Sequence, residues 1–543
     1  MAYSYYERLS ALDAAFLGVE DQNAHMHVGA VSLFPATPLL GRDGTLDMDR
    51  VRSVVEAGLH RVPRYQQKLT TVPVFGYPVW VDDEHFNINY HVRHARLPKP
   101  GDDRQLKRLA GRIMSQQLDR GKPLWELWVV EGLDGDRIAT IVKAHHCMID
   151  GVGSVELTGA WLETNAEAQR AKRAKSKWIP RPAPGGRQLF LGEIARRAEE
   201  PIELLRAVRH AFDDPGKAAD NVRRALSGLG QTVAAGLRPA SPTPLNVDIG
   251  PHRRFDWLDM SLHHVKAIKD RLGGTVNDVV LSIVSGAIGR FLRERGLRTQ
   301  ELDFRAMVPV NTRTESERGA MGNRVANMLV RLPVGERDPR QRLHKVTEIT
   351  RALKHSEQVR GMQTIEALSD WTLSSIITGF SVLSIRARAY NMVVTNVPGP
   401  PTTTYFLGAP MQAVYPLVPL GPNQALGVAL FSYDGKLFWG FNADWDALPD
   451  LHDFVDFVGR EFAALGALAA GGGRRGGTPG VEAEAEPHAE AEGERQAEAG
   501  AEAKTERRAA RAAEPAQAAP RRTASRRRSQ RAKAAARSPE AAG

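Results

Sequence analysis

Apolar positions along the chain follow two periods. Short runs dense in β-branched and aromatic residues predict strands: RIATIVKAHH (Arg137–His146), FRAMVPVNT (Phe304–Thr312), MLVRLPV (Met328–Val334), NMVVTNVPG (Asn391–Gly399), AVYPLVPL (Ala413–Leu420), ALGVALFSYDG (Ala425–Gly435) and KLFWGFNAD (Lys436–Asp444). The last two read as a hairpin, because the Asp434-Gly435 pair accepts the positive φ of a tight turn. Helical spacing runs through VNDVVLSIVSGAIGRFLRER (Val276–Arg295) and through VGSVELTGAWLE (Val152–Glu163), just after the first strand. Both halves of the chain mix the two patterns, so each is expected to form an α/β layer pair. No short-period repeat interrupts this.

Two segments depart from the pattern. Residues 165–250 carry the basic run AQRAKRAKSK and the proline-rich WIPRPAPGG and RPASPTPLN, which disfavour continuous helix or strand. Between them, QLFLGEIARRAEEPIELLRAVRHAF returns to helical spacing. From residue 471 the chain is Ala, Glu, Arg, Gly and Pro with almost no large apolar side chain, too little to offset the entropy of ordering. The expected plan is a first domain at 1–164, a crossover with helices at 165–250, a second domain at 251–470 and a disordered charged tail at 471–543.

Composition narrows the function classes. A chain of 543 residues exceeds what one core organises, and 42% hydrophobic with 25% charged residues is the balance of a globular protein. The net charge of +10 includes +4 from the tail, so the first 470 residues carry only +6. That is no nucleic-acid signature, and nucleic acid is not an expected partner. Within the tail, Val481–Ala503 holds eight Glu against one Arg, and Lys504–Gly543 twelve basic groups against three Glu. At most a weak attraction to anionic surfaces follows. The single cysteine, Cys147, excludes intramolecular disulfides and cysteine zinc sites. No run approaches the roughly 18 apolar residues of a membrane span, and MAYSYYERLSALDAAFL lacks the order of a secretion signal. A cytoplasmic location is the expectation.

The sharpest chemical feature is His145-His146-Cys147-Met148-Ile149-Asp150-Gly151, where an extended run stops. An imidazole titrates near neutrality and can take a proton from a hydroxyl or thiol. Gly151 and Gly153 permit a tight turn, and Asp150 can fix it. The same residues could be an ordinary strand end with an Asp-Gly turn. Cys147 beside a histidine suggests a nucleophile, but the next residue along a strand end points to the other side, which disfavours it. His85, His91 and His94 with His145 lack tight ligand spacing, so no metal site is expected. Asn277 and Asp278 follow the Gly273-Gly274 turn and suit a helix start. Pro123, Leu124 and Trp125 are apolar and suit packing beneath the histidine strand.

HHCMIDG resembles the HHxxxDG signature of the bacterial wax ester synthase/diacylglycerol acyltransferase family, a relative of chloramphenicol acetyltransferase, carnitine acyltransferases and peptide-synthetase condensation domains. Further blocks follow in family order: LSALDAAFLGVE, LDRGKPLWELWVVEGL, PLNVDIGPHRRF, GTVNDVVLSIVSGAIGRFL, MVPVNTR, MGNRVANMLVRLPV and TNVPGPP. The resemblance implies an α/β fold of two coenzyme A-dependent acyltransferase-like domains forming a pseudo-dimer, with the active site in the channel between them. It implies transfer of a fatty acyl group from acyl-CoA, as substrate rather than bound cofactor, to diacylglycerol or a long-chain alcohol. In that scheme His146 is the general base of a direct transfer and His145 shapes the site. Asp150 and Gly151 hold the loop. Asn277 and Asp278 face the histidine from the second domain as oxyanion or structural groups, and Pro123, Leu124 and Trp125 pack the core or line the substrate channel. Such substrates imply work at an inner membrane face or a lipid inclusion. The apolar stretch WTLSSIITGFSVLSIRARAY (Trp371–Tyr390) could dip into that interface or lie buried. The rival readings are transfer to another hydroxyl or an amine, and a non-catalytic lipid-binding protein on the same fold.

Overall fold

The computed structural model describes residues 5–148, 161–167, 178–197, 239–311, 325–354 and 388–471. Asp150, Gly151, most of the expected 152–163 helix, residues 371–387 of the apolar stretch, the middle of the crossover and the tail beyond Gly471 lie outside the described residues. The strands are β1 (Glu7–Arg8), β2 (His27–Pro35), β3 (Gln67–Thr71), β4 (Pro78–Asp82), β5 (Val92–Arg96), β6 (Trp125–Leu133), β7 (Arg137–His145), β8 (Arg253–Ser261), β9 (Arg305–Asn311), β10 (Val325–Arg331), β11 (Met392–Pro398), β12 (Tyr405–Phe406), β13 (Ala409–Pro410), β14 (Ala413–Leu417), β15 (Leu426–Tyr433) and β16 (Lys436–Asp444). Every strand read from the hydrophobic pattern is present. β10 stops at Arg331, two residues before Pro333, which has no N–H to donate to a ladder. Asp434 and Gly435 turn the β15–β16 hairpin with φ of 44° and 76°.

Two mixed sheets organise the halves. The first has the order β14-β2-β7-β6-β5 and the second β10-β9-β11-β15-β16-β8. A three-stranded sheet, β1-β4-β3, stands beside the first. One strand crosses over in sequence: β14, from the C-terminal half, pairs antiparallel with β2, Tyr415 opposite Val31. Gly440 of β16 lets this strand pass, since a Cβ there would stand 1.7 Å from the Pro416 carbonyl oxygen.

The Val276–Glu294 helix is buried nearly all round, which explains its apolar composition on every face. Thr275 and Asp278 form a capping box that satisfies its first amides. The Pro339–Lys354 and Leu451–Gly471 helices pack on it. The buried Arg342 ties all three, donating to Ser282 O at 2.9 Å and pairing with Glu461. The described part of the crossover docks back on the first half. Arg181 grips Asp82 through Nε and Nη2 at 2.8 and 2.7 Å, and Leu189 packs against Val72 and Val79. Among the described residues no single helix is long and apolar enough to cross a membrane.

Candidate active site

The two histidines are placed by backbone bonds on either side. The His145 amide donates to Leu124 O at 2.9 Å, and the His146 amide to Met26 O at 2.8 Å. The first acceptor belongs to the Pro123-Leu124-Trp125 block, the second to the segment leading into β2. Leu124 and Trp125 are fully buried. The Trp125 indole donates to Tyr65 O at 2.8 Å and stacks on His91 at 4.6 Å. This block therefore runs beside β7 in the same sheet, Trp125 opposite Ala144, and holds its end.

Past β7 the chain makes a 3-10 turn, His146–Met148. The His146 ring stacks on Phe16 at a centroid distance of 3.9 Å. Phe16 stands on the Ala11–Val19 helix, which Ser10 caps by accepting the Asp13 amide. The same Phe16 packs against the core that contains the Val276–Glu294 helix, so the His146 turn abuts the C-terminal half. The Nδ1 atom of His146 is buried without a hydrogen bond to a described residue. Burial pushes its basicity down to a pKa of about 4, and the neighbouring His145 adds to this. The ring is neutral at physiological pH, the state a general base requires.

His145 is buried. Its Nδ1 accepts the Cys147 amide at 3.1 Å, which leaves Nε2 as the ring nitrogen that can carry a proton. That Nε2 faces Glu20, 3.7 Å from Oε2. The other carboxylate oxygen lies 3.7 Å from Nε2 of His27, the residue opposite His145 in the β2–β7 pair. The Glu20 carboxylate is 1% exposed. Burial alone would raise its pKa, but its contacts with His145 and Arg120 outweigh burial and hold it at about 2. Arg120 completes the arrangement, donating to Oε2 from Nε at 3.2 Å and Nη2 at 2.5 Å.

One further buried cation belongs here. Strand alternation puts Lys143 on the same face as His145. It is fully buried, donates to Ile113 O at 3.0 Å and to Gln116 O, and lies 3.9 Å from Glu126. Burial lowers its pKa to about 8, against the pull of Glu126. Burial, then Lys143, pushes His27 well below the ordinary imidazole range. The end of β7 thus carries a buried polar row under an uncharged His146.

Cys147 packs with Leu9, Trp80, Leu118 and Leu124, and burial raises its thiol well above the ordinary range. A thiol so placed is a poor nucleophile. His91 is committed to Trp125 O through Nδ1 at 2.8 Å, and His94 to Glu131 at 3.2 Å. No group of three metal-ligating side chains occurs among the described residues. Asp278 is buried in the capping box and accepts from Thr350 at 2.6 Å. Asn277 accepts through Oδ1 from Asn396 at 2.7 Å, which joins the helix start to the TNVPGPP segment. No described contact links Asn277 or Asp278 to His145 or His146. Glu20, His27, Arg120 and Lys143 did not emerge from the sequence. Lys143 had a signal there: a lysine two places before His145 in a buried strand.

Comparison with known proteins shows the family of the chain. The wax ester synthase/diacylglycerol acyltransferase catalytic domain matches residues 9–280, and the C-terminal domain of the same family matches residues 321–466. A Mycobacterium tuberculosis protein named as a diacylglycerol O-acyltransferase is 33% identical over 465 residues, covering 83% of this chain and 88% of its own. A second from that organism is 31% identical over 470 residues, covering 85% and 96%. Among solved structures, the wax ester synthase/diacylglycerol acyltransferase of Marinobacter aquaeolei VT8 superposes with a TM-score of 0.57 at 25% identity, over 85% of this chain and all of that one. The first condensation domain of the calcium-dependent antibiotic synthetase shares the fold, at a TM-score of 0.54 and 16% identity. With both family domains matched in order along the chain that carries the histidine pair, the chain belongs to the wax ester synthase/diacylglycerol acyltransferase family of acyltransferases.

Proposed function

We propose that this protein transfers a long-chain acyl group from acyl-CoA to the free hydroxyl of diacylglycerol, with His146 as general base. The observation that carries the reading is a neutral His146 on a turn fixed by two flanking backbone bonds, in a chain whose relatives are named for this activity. Nδ1 is enclosed, so Nε2 is the nitrogen a substrate can reach. It accepts the hydroxyl proton as the oxygen attacks the thioester carbonyl. It then returns that proton to the sulfur as the carbon–sulfur bond breaks. No covalent acyl-enzyme is needed, and the inert Cys147 agrees with that. Glu20 acts through His145: its charge faces the Nε2 end of the ring at 3.7 Å, while the Nδ1 end holds the Cys147 amide and hence the turn. Both substrates carry long chains, so the enzyme works at a lipid surface on the cytoplasmic side. Long-chain alcohols are accepted in the same position, giving wax esters.

The test is a purified-enzyme assay with palmitoyl-CoA against dipalmitoylglycerol and hexadecanol side by side, with both esters and free coenzyme A quantified. Triacylglycerol formed in step with coenzyme A is the expected result. Release of coenzyme A without ester, or no consumption of palmitoyl-CoA, overturns the reading.

A further inference from the structure

A cavity of about 870 Å³ lies away from the histidines, between the Asp103–Met114 helix, β8 and the segment after β16. Its walls are cationic. Arg104, Lys107 and Arg108 stand at i, i+3 and i+4 on one helix face, and Arg253 and Arg254 come from β8. The one carboxylate in the wall, Asp256, is already taken by Lys107 and by His452 at 2.9 Å. Arg253 is spent on structure: it is buried and donates to the carbonyls of Gly250, His252 and Asn23. Arg254 lies over the Trp445 ring at 3.7 Å and donates to the Trp445 carbonyl at 2.8 Å. Arg104 and Arg108 are exposed at the mouth and make no hydrogen bond or ion pair with any described residue.

We propose that this cavity binds the phosphate groups of a nucleotide, and that the nucleotide is the head of the acyl-CoA donor; this rests on the acyl-CoA reading above. Two unpaired guanidiniums over a concave wall form a fork for phosphate oxygens, and the concavity concentrates their field. The volume falls in the range of about 300–1,000 Å³ typical of small-molecule sites, ample for an adenosine with its phosphates. Trp445 offers an aromatic surface at the rim.

The supporting elements also lead to the histidines. The Asp103–Met114 helix presents Arg104 at one end. At the other, Ile113 O accepts from Lys143 and Met114 O lies 3.5 Å from Nδ1 of His27. By helix rise the two ends are about 15 Å apart, a separation that an extended pantetheine arm can bridge. Arg253 makes a second link, because its Asn23 contact anchors the loop between Glu20 and His25. Phosphates held by Arg104 and Arg108 would therefore sit about 15 Å, by helix rise, from the Lys143 and His27 end of the polar row.

The test uses the full-length protein and the double variant Arg104→Ala/Arg108→Ala, both positions being exposed so that folding is preserved. Calorimetry measures binding of coenzyme A, of 3′-dephospho-coenzyme A and of inorganic pyrophosphate, and co-sedimentation measures binding to phosphatidylglycerol vesicles. Loss of two charge-assisted contacts should weaken coenzyme A binding about 10-fold or more and raise KM for palmitoyl-CoA with little change in kcat. Unchanged coenzyme A affinity in the variant overturns the inference, even while wild-type turnover upholds the acyltransferase reading. Lost vesicle binding with intact coenzyme A binding assigns the cavity to lipid headgroups and also overturns it. A wild-type protein that neither binds coenzyme A nor consumes acyl-CoA defeats the functional reading itself.

Discussion

Glu20→Gln separates a carboxylate that tunes the histidines from one that merely fills space. Glutamine keeps the shape and removes the charge. In the wild type the carboxylate lies 3.7 Å from Nε2 of His145 and bonds Arg120 with both Nε and Nη2. Arg120 is half exposed, so that contact is discounted for solvent. At 3.7 Å the carboxylate acts on the His145 ring as a nearby charge rather than through a hydrogen bond, a contribution of about 1 kcal/mol. If that energy steadies the His146 turn in the transition state, kcat falls about 5-fold. KM for acyl-CoA should hold, because Glu20 is not in the cationic cavity. The assay is steady-state turnover at a temperature where circular dichroism shows the variant fully folded. It is paired with nitrogen-15 NMR of the His145 ring, which should carry its proton on Nε2 in the wild type. A kcat within twofold of wild type, or a His145 ring protonated on Nδ1 in the wild type, would refute the role given to Glu20.

Three other outcomes follow from the same geometry. His146→Ala should lose about 10²–10⁴-fold in kcat while retaining acyl-CoA binding, and in the wild type the acid limb of kcat/KM should fall near the depressed pKa of about 4; a limb at the ordinary imidazole value contradicts this. Cys147→Ala should turn over normally, and an acyl-thioester on Cys147 found by mass spectrometry would overturn direct transfer. His91, stacked between Phe86 and Trp125, is held by burial at a pKa of about 4, against a hydrogen bond to Trp125 O. The unfolded chain therefore binds that proton first as pH falls. The stability it confers is complete above the unfolded value of about 6.5 and is lost between there and about 4, on the order of 3 kcal/mol. Thermal melts of wild type and His91→Phe should show a shallower acid slope in the variant, and parallel slopes would refute it.

What the sequence revealed about this protein was the part written in local pattern. Strands such as Lys436–Asp444 and the buried Val276–Glu294 helix are legible because burial imposes a period on neighbouring residues. The histidine pair is legible because it interrupts such a period. Pairing is not local. Nothing in AVYPL says that this segment joins β2 rather than its own half's sheet, since that choice depends on Gly440 and the crossing of two chain segments far apart in sequence. Glu20 is invisible for the same reason. In LSALDAAFLGVE it looks like an ordinary polar end to a short helix, and only the fold brings Arg120 and His145 to it. The capping at Thr275 lies between the two extremes: Asn277 and Asp278 mark the helix start in the sequence, but only Asp278 joins the capping box, with Thr275, while Asn277 accepts from Asn396.

A base with a pKa near 4 at first looks too weak for this chemistry, since proton transfer is most efficient when donor and acceptor are matched. The resting value, however, describes a ring with no anion beside it. On the proposed mechanism, attack on the thioester creates an oxyanion next to His146, and that negative charge stabilises the imidazolium only while the tetrahedral species exists. The enclosure that depresses the resting pKa also lowers the local dielectric, which strengthens this attraction. The ring is thus favoured as a cation in the transition state and disfavoured before and after it, which is what acceleration requires. The return step gains from the same enclosure. An ordinary thiol has a pKa of about 8.5, so handing the proton from His146 to the leaving sulfur is downhill by about 4 units. A stronger base would hold its proton and slow release of coenzyme A. On that mechanism, the stacking of the ring on Phe16 and the burial of its Nδ1 edge serve the second half of the reaction as much as the first.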